Sequence, residues 1–375
     1  MSEHHNTSNS AVRVIISGGG TGGHIFPAIA IANAIKRLRP DAEILFVGAN
    51  GKMEMEKVPA AGYPIIGLNI SGIERSLSPK NLMFPFKLAG SLTQSMGIIR
   101  NFRPDAVVGV GGFASGPVML AATVRGIPTI IQEQNSYAGI TNKVLGRRAK
   151  RICVAYPDMG IFFPSDRIVL TGNPVRQDIL NMDGKRETGL ATFNLDSTKK
   201  TLLVIGGSLG ARSINQSVEA HIDAFIKADV QVVWQTGKLF LNQAKKAVEE
   251  KGAKNIRVQA FITTMDQAYA VADVVLSRAG ASSISELCIV GKPAVLVPFP
   301  FAAEDHQTKN AMALVQRNAA ILVPDGKAME QSCDKALGLL MDEEKRNDLI
   351  TNIKELALPN ADTQIANEIL SLIKK

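Results

Sequence analysis

The sequence predicts an α/β protein made of two Rossmann-like, doubly wound parallel-sheet domains. Its 375 residues are enough for about two domains of ordinary size. Short β-branched segments alternate with helical stretches along the whole chain, which is typical of parallel sheets covered by helices on both faces. Each half also opens with a strand and a glycine-rich turn, at residues 12–23 and 201–210. This repetition predicts two domains of the same kind.

The strands are predicted from continuous apolar runs, because strands of a parallel sheet are buried on both faces and need not alternate. The longest uncharged run, residues 106–124, is interrupted by glycines and by Pro117. It therefore predicts a buried strand, a loop and a short helix rather than a membrane-spanning helix. The predicted strands are 12–16, 43–47, 106–110, 127–131 and 151–154 in the first half, and 201–205, 231–235, 256–259, 274–277 and 293–297 in the second.

We expect the first domain to span residues 11–175 and the second to span residues 176–357. At the boundary lies the segment 172–176, whose Asn173-Pro174 step favours an extended or turning linker because the residue before a proline avoids helical conformation. Residues 358–375 are expected to form a closing helix that packs back on the first domain. Its apolar side chains recur at helical spacing, namely Ile365, Ile369, Leu372 and Ile373.

Composition narrows the class of protein. The formal net charge is +8, which suits anionic small molecules or anionic lipid headgroups and is equally compatible with a simple solubility effect. Aromatic residues make up only 5% of the chain and no RRM, KH or helix-turn-helix pattern is present, so nucleic acid is not a predicted partner.

Three cysteines without a CxxC pair argue against a zinc ribbon or a disulfide scaffold. The polar N-terminus lacks a secretory leader, and we expect a cytoplasmic protein.

A glycine turn between a strand and a helix presents backbone amides and the positive end of the helix dipole, which suits a phosphate. The first turn, with Gly18, Gly20 and Gly23, fits the dinucleotide pattern GxGxxG. That pattern also needs an acidic residue at the end of the second strand, where this chain has Gly48-Ala49-Asn50. The sequence therefore favours a phosphate-suited turn without a nicotinamide or flavin cofactor.

The second turn has a different alternative. Gly206-x-Ser208-x-Gly210 matches the nucleophile elbow of an α/β-hydrolase in the correct strand–turn–helix setting. A hydrolase also needs an acidic residue and then a histidine downstream. Only His221 and His306 follow, and His221 falls on the helix that the turn opens. The hydrolase interpretation is therefore disfavoured.

Beyond these turns, a series of short motifs runs in order along nearly the whole chain. They are residues 18–24, 111–117, Glu133-Gln134-Asn135, 172–176, 206–210, Arg278-Ala279-Gly280-Ala281 with Ser285-Glu286, and Asp305-His306-Gln307. Together they resemble the motifs of the bacterial MurG family of peptidoglycan glycosyltransferases. Its members are UDP-N-acetylglucosamine–N-acetylmuramyl-(pentapeptide) pyrophosphoryl-undecaprenol N-acetylglucosamine transferases.

This resemblance implies a GT-B fold with the active site in the cleft between two Rossmann-like domains. It implies transfer of GlcNAc from UDP-GlcNAc to the muramyl 4-hydroxyl of lipid I, which gives lipid II with inversion at the anomeric carbon. The lipid carrier implies a peripheral protein at the cytoplasmic face of the bacterial inner membrane. Two other classes stay open, namely another GT-B enzyme acting on UDP-GlcNAc, such as an epimerase, and a non-catalytic UDP-sugar sensor.

The resemblance also assigns the donor side residue by residue. Glu286 is expected to accept hydrogen bonds from both ribose hydroxyls, Ser208 to hold the diphosphate, and Arg176 to neutralise it. The backbone of Ile262 is expected to read the uracil edge. Gln307 and Asn135 correspond to positions that bind the sugar hydroxyls, and the same turn is lined by Ala281, Ser282, Ser283, Ile284 and Ser285.

On the acceptor side, the attacking sugar hydroxyl needs a general base. His24 is one candidate, because the dipole at a helix start disfavours imidazolium and keeps the ring able to accept a proton. Glu133 is the competing candidate, and the sequence does not separate them. Thr21, Gly22 and Gly23 are expected to face the acceptor diphosphate or the transferred sugar. No Asp-x-Asp motif occurs, so neither a metal nor another cofactor is predicted.

A membrane contact is predicted for one segment. Apolar residues flanked by lysines suit a helix lying on an anionic lipid surface. An ordinary core-facing helix explains the same pattern, so both interpretations stand. The residues concerned are Leu82, Met83, Phe84, Phe86 and Leu88, beside Lys80 and Lys87.

Overall fold

A computed structural model describes residues 11–70 and 84–373. Its backbone contacts divide the chain into two compact units. The first unit contains the chain up to Gln134, Ala138–Pro174 and the segment from Asn360 onward. The second unit contains Asn135–Tyr137 and Val175–Pro359.

The first unit is a doubly wound α/β sheet. In its described part, seven parallel strands lie in the order β3-β2-β1-β4-β5-β6-β7. The strands are β1 Arg13–Ser17, β2 Glu43–Ala49, β3 Ile65–Leu68, β4 Ala106–Gly109, β5 Thr129–Glu133, β6 Arg151–Val154 and β7 Ile168–Leu170. The helices are α1 Gly22–Leu38, α2 Glu54–Ala60, α3 Phe84–Phe102, α4 Ser115–Val124, α5 Ile140–Gly146 and, from the C-terminus, α15 Ala361–Ser371.

The second unit repeats this architecture. Its residues 175–359 contain a parallel sheet in the order β10-β9-β8-β11-β12-β13. The strands are β8 Thr201–Ile205, β9 Gln231–Gln235, β10 Ile256–Gln259, β11 Val274–Ser277, β12 Ala294–Leu296 and β13 Ile321–Leu322. The helices are α6 Lys185–Phe193, α7 Arg212–Ala220, α8 Ile222–Lys227, α9 Leu241–Glu250, α10 Met265–Val271, α11 Ala281–Val290, α12 His306–Val315, α13 Ala328–Met341 and α14 Glu343–Lys354.

Both sheets have a point where the strand order reverses, between β1 and β4 and between β8 and β11. The helices that follow these strands start on opposite faces, and ligands of open α/β sheets bind at the carboxyl ends of the strands there. In the first unit, the glycine turns after β1 and β4 lie at this point. In the second unit, the turns after β8 and β11 lie there. The prediction of two Rossmann-like, parallel-sheet domains is thereby confirmed.

The predicted strands are all present, with ends that differ by two residues at most. The sequence missed β3, β7 and β13, which lie at sheet edges. They are two to four residues long and only partly buried, so they lack the continuous apolar run that marks a central strand. The strand, loop and helix predicted within residues 106–124 are confirmed as β4, a turn and α4.

The C-terminal helix α15 packs against α1 within the first unit. Ile365 and Ile369 are fully buried in the same core cluster as Ile31 and Ile35. At the edge of this contact the Arg37 guanidinium lies 2.6 Å from the Asp362 carboxylate. None of the helices in residues 11–70 and 84–373 has the length and apolar character needed to cross a membrane.

Candidate functional site

The glycine turns after β1 and β4 approach each other through their backbones. A Cβ atom on Gly18 would lie 2.6 Å from the carbonyl oxygen of Gly111. A Cβ on Gly112 would lie 2.4 Å from the carbonyl oxygen of Gly19. Because real Cβ atoms do not come so close to backbone oxygens, these positions require glycine. The contact fixes the loop that leads into α1.

The amides of the first glycine turn are already used inside the protein. Gly18 donates to the Val47 carbonyl at 3.3 Å, and Gly19 donates to Gly111 at 3.3 Å. Gly20 donates to the carboxylate of Glu54 at 2.9 Å. An external phosphate would therefore meet the next amides, those of Gly22 and Gly23, since the first N–H groups of a helix have no acceptor within the helix.

His24 is the third residue of α1, and its half-buried ring has a defined orientation. Its Nδ1 lies 3.0 Å from the Gly19 carbonyl oxygen. A carbonyl oxygen only accepts hydrogen bonds, so Nδ1 is the nitrogen that donates. The neutral ring then carries its lone pair on Nε2, beside the backbone of Gly111. Thr21, the N-cap residue, is exposed next to it.

Glu133, the other candidate base, is buried at 2% exposure. Its Oε2 accepts hydrogen bonds from the Gly139 amide at 3.0 Å and from Asn142 Nδ2 at 2.9 Å. Neighbouring Gln132 donates to Asn173 Oδ1 at 2.9 Å. The carboxylate thus ties the end of β5 to the start of α5. This arrangement suits a residue that holds the loop in place.

The glycine turn of the second unit follows β8 and leaves Ser208 exposed at its tip. The Gly210 amide donates to the Gly207 carbonyl at 3.1 Å, which closes the turn. A Cβ on Gly210, whose φ is +81°, would lie 2.0 Å from the Thr236 carbonyl oxygen. The turns after β8 and β9 are therefore in direct backbone contact.

We expect Gly210→Ala to destabilise the protein, because the side chain meets both an unfavourable φ and a backbone oxygen. The conformation costs about 1–3 kcal/mol and the contact about 1–3 kcal/mol more. Gly252→Ala is the matched control, since Gly252 also has a positive φ of +61° but nothing within 4 Å. Urea unfolding measures both, and equal losses of unfolding free energy would contradict the expected backbone contact.

Gln235, which no sequence motif indicates, joins two segments that are predicted from the sequence to bind UDP-GlcNAc. Its Nε2 donates to the Gly207 carbonyl at 3.0 Å, and its Oε1 accepts from the Ile262 amide at 2.8 Å. The Ile262 amide is therefore engaged within the protein. Uracil recognition by this backbone would have to use the Ile262 carbonyl, or displace Gln235. Only its position at the end of a buried strand could have drawn attention to Gln235.

Glu286 lies on α11 and is buried at 7% exposure. Its Oε1 accepts from Arg176 Nε at 3.0 Å, and its Oε2 accepts from the Tyr269 hydroxyl at 3.0 Å. Burial raises the pKa of Glu286 above its ordinary value, and the nearby Arg176 guanidinium partly offsets this. Burial also raises the pKa of Tyr269 well above its ordinary value.

Arg176 contacts Glu286 through its Nε. The role expected of it from the sequence, neutralising the diphosphate, stays a prediction. Each carboxylate oxygen has two lone pairs, so Glu286 retains acceptor capacity for a ligand beside Arg176 and Tyr269. Tyr269 is a further residue that the sequence analysis missed.

Five residues expected to line the donor turn form the beginning of α11. Ile284 is buried at 2% exposure, so its side chain belongs to the interior. The Ser285 hydroxyl donates to the Ala281 carbonyl at 3.0 Å within the helix. Ser282 and Ser283 are half-buried. The first-turn amides of this helix, at the carboxyl end of β11, are the groups here that suit a phosphate.

Gln307 is the second residue of α12, and Asn135 is hydrogen-bonded to a residue of the same helix. Both belong to the second unit. Gln307 Oε1 accepts from the Phe299 amide at 2.9 Å. Three residues later, the fully buried Asn310 donates from Nδ2 to Asn135 Oδ1 at 3.0 Å. Asn310 Oδ1 in turn accepts from the Ser136 amide at 2.9 Å. Asn310 thus positions Asn135, a role that the sequence analysis did not identify.

Arg278 is the first residue of the turn after β11 and connects this turn to other parts of the second unit. It is buried at 9% exposure, and its guanidinium lies 2.5 Å from Asp325 Oδ1 and 3.1 Å from the Ser213 hydroxyl. It also donates to the Val297 and Pro298 carbonyls. Arg278 therefore holds elements of the second unit together. Across the described residues, no group of three or more His, Cys, Asp or Glu side chains is placed to hold a metal ion.

Comparison with known proteins places the chain in a family. The N-terminal domain of glycosyltransferase family 28 matches residues 14–154, and the C-terminal domain of that family matches residues 201–368. A solved structure of Acinetobacter baumannii MurG is 28% identical, has a TM-score of 0.78, and covers 96% of this chain and 99% of its own. The fold is therefore GT-B.

Two curated relatives are similar over nearly their whole length. One from Flavobacterium psychrophilum is 53% identical over 362 residues, which is 96% of this chain and 98% of the relative. One from Parabacteroides distasonis is 54% identical over 363 residues, which is 97% of this chain and 99% of the relative. Both are named UDP-N-acetylglucosamine–N-acetylmuramyl-(pentapeptide) pyrophosphoryl-undecaprenol N-acetylglucosamine transferase. The chain belongs to glycosyltransferase family 28 and, within it, to the MurG family of these transferases.

Proposed function

We propose that this protein transfers GlcNAc from UDP-GlcNAc to the muramyl 4-hydroxyl of lipid I, forming lipid II with inversion at the anomeric carbon. The observation that carries the proposal is identity of 53–54% over nearly the full length of relatives that are named as N-acetylglucosamine transferases of this UDP-sugar and this undecaprenol-linked muramyl pentapeptide. Within the first unit the glycine turn and His24 suit it, and so, within the second unit, do the glycine turn and Glu286.

The second unit is the proposed donor-binding part. Glu286 would accept the ribose hydroxyls with the lone pairs that Arg176 and Tyr269 leave available. The diphosphate would lie against Ser208 and the first-turn amides of α7 and α11, where the helix dipoles favour negative charge. The same amides would stabilise the charge that develops on UDP as it leaves. Gln307 and Asn135 would bind the sugar hydroxyls.

We propose His24 as the general base. Its neutral ring presents the lone pair of Nε2, because Nδ1 donates to the Gly19 carbonyl. Glu133 is a weaker candidate, since its carboxylate is buried and accepts from Gly139 and Asn142. In the reaction, the acceptor hydroxyl gives its proton to Nε2 while its oxygen attacks the anomeric carbon and UDP departs. Thr21, Gly22 and Gly23 would face the acceptor.

We also propose that the first unit meets the cytoplasmic face of the bacterial inner membrane as a peripheral protein. The support is the beginning of α3, where Phe86 is 72% exposed and Leu88 is 38% exposed, with Lys87 between them. An exposed aromatic residue beside a lysine suits an anionic lipid surface. Lys80, Leu82 and Met83 of the predicted segment lie outside the described residues, as does the side chain of Phe84.

We expect Phe86→Ser to reduce binding to vesicles that contain anionic phospholipid, because it removes an exposed apolar side chain without disturbing the core. Leu239→Ser is the control, since Leu239 is 96% exposed but lies in the second unit. Co-sedimentation with vesicles measures both variants, with thermal unfolding as a check of folding. Unchanged sedimentation of the Phe86 variant would contradict the membrane assignment at this position.

UDP release tests the proposed reaction. The protein is incubated with UDP-GlcNAc, with and without a lipid I analogue, in the presence of EDTA. Release that requires the analogue and persists in EDTA is the expected result. Release without the acceptor would instead indicate an epimerase or hydrolase, and binding without release under all conditions would indicate a UDP-sugar sensor.

A further inference from the structure

A buried carboxylate lies beside the first glycine turn and has no part in the mechanism above. Glu54, the first residue of α2, is 1% exposed, whereas the preceding Met53 is 41% exposed. Glu54 Oε1 accepts from the Ala49 amide at 3.0 Å, and Oε2 accepts from the Gly20 amide at 2.9 Å. Burying a carboxylate is costly unless such bonds compensate it. Within the described residues, backbone amides rather than a cation supply the compensation.

The turn is shaped to receive this side chain. A Cβ on Gly19 would lie 2.3 Å from the Glu54 carboxyl carbon, and a Cβ on Gly48 would lie 2.5 Å from its Cγ. Both distances are too short for any residue with a side chain, so glycine at these positions lets the carboxylate reach the backbone. Glu54 is therefore part of the turn itself.

One peptide group connects Glu54 to His24. The amide of Gly20 and the carbonyl of Gly19 belong to the same peptide bond, and they point in opposite directions because the bond is trans. The amide donates to Glu54, and the carbonyl accepts from His24 Nδ1 at 3.0 Å. Hydrogen bonds in series polarise one another, with a strengthening of roughly 10–30% per bond. A carboxylate on the amide side thus makes the carbonyl a stronger acceptor.

We infer that Glu54 is a positioning residue for His24 that acts through the Gly19–Gly20 peptide group. It keeps the carbonyl turned toward the imidazole, which holds the proton on Nδ1 and the lone pair on Nε2. It also stabilises the positive charge that the ring gains when Nε2 takes the acceptor proton. Because both flanking residues are glycines, the peptide can rotate easily once the carboxylate is lost. This inference rests on the proposed function of His24 as the base.

Glu54→Gln tests the inference, since the amide side chain keeps the size but presents a donor to one of the two backbone amides. By analogy with residues that orient metal-binding histidines, kcat is expected to fall roughly 10- to 100-fold. KM for UDP-GlcNAc should stay unchanged, because the donor binds in the second unit. Asp105→Asn is the matched control with unchanged kcat, since Asp105 accepts from the Arg13 amide at 2.8 Å away from the turn.

A double-variant cycle identifies the route of the effect. In a His24→Ala background, Glu54→Gln should cause no further loss of kcat, because its effect passes through His24. Normal kcat in the single variant, or a full additional loss in the double variant, would overturn the inference. Failure of the proposed function would be visible separately, as absence of UDP release by the unmodified protein with a lipid I analogue.

A measurement on the unmodified protein covers the case in which Glu54→Gln does not fold. The chain has five histidines, so 15N-histidine labelling gives a spectrum simple enough to assign His24 by comparison with His24→Ala. The ring nitrogen shifts report which nitrogen carries the proton. The expected result is the Nδ1–H tautomer of His24 at neutral pH, and an Nε2–H tautomer would overturn the inference.

Discussion

His24→Ala is expected to lower kcat by about 10²–10⁴-fold, the usual contribution of a general base. The dissociation constant of UDP should not change, because the proposed donor contacts are all in the second unit. Steady-state UDP release with a lipid I analogue measures the first quantity, and calorimetric titration with UDP measures the second. Catalysis would be lost with donor binding intact.

His221→Ala is the matched control for this variant. His221 also donates from Nδ1 to a backbone carbonyl, that of Ser217, at 2.7 Å, but it lies at the junction of α7 and α8, away from both glycine turns. Its removal should leave kcat unchanged. A nearly normal kcat for His24→Ala, together with a large loss for a stably folded Glu133→Gln, would transfer the role of base to Glu133.

Glu286→Ala is expected to weaken UDP-GlcNAc binding by about 10- to 150-fold, since a hydrogen bond to a charged group contributes about 1.5–3 kcal/mol. The variant also leaves Arg176 and the buried Tyr269 hydroxyl without their acceptor, so a loss of stability should accompany it. The substitution is made in the catalytically impaired His24→Ala variant. Calorimetric titration of the single and the double variant with UDP-GlcNAc then measures the affinity without turnover of the donor.

Two comparisons sharpen this result. Tyr269→Phe removes only the hydroxyl that donates to Glu286 and should have a smaller effect on affinity.

Because burial raises the pKa of Glu286, the carboxylate becomes protonated at a higher pH than an ordinary glutamate as the solution is acidified. Affinity for UDP-GlcNAc should therefore fall on mild acidification, and Glu286→Gln should remove that dependence. Full affinity in Glu286→Ala would exclude the ribose assignment.

The sequence was sufficient for the central strands of both sheets. Continuous apolar runs such as 201–205 and 231–235 coincide with β8 and β9, because strands buried on both faces leave an unambiguous pattern. The edge strands β3, β7 and β13 are short and partly exposed. Their pairing depends on a neighbouring strand that is distant in sequence, and no local pattern encodes that neighbour.

The site was predictable to a different extent. By resemblance the motifs assign roles to His24 and Glu286, and these roles stay predictions. The contacts between side chains that are distant in sequence could not be predicted from the motifs. Glu54 lies among exposed residues of a short helix and was missed, although its carboxylate completes the turn. Asn310 and Gln235 were missed because their partners lie in other loops, among them the Ser136 amide and the Gly207 carbonyl. A buried polar residue is recognisable only when its surroundings are known.

Product analysis with two acceptors tests whether the protein transfers GlcNAc to the muramyl 4-hydroxyl. The protein is given UDP-GlcNAc and either a lipid I analogue or the same analogue lacking the muramyl 4-hydroxyl, and the lipid products are examined by mass spectrometry and NMR. We expect one added GlcNAc, joined to the 4-position with inverted configuration, and no product from the 4-deoxy acceptor. Equal GlcNAc addition to both acceptors, or addition to neither, would contradict it.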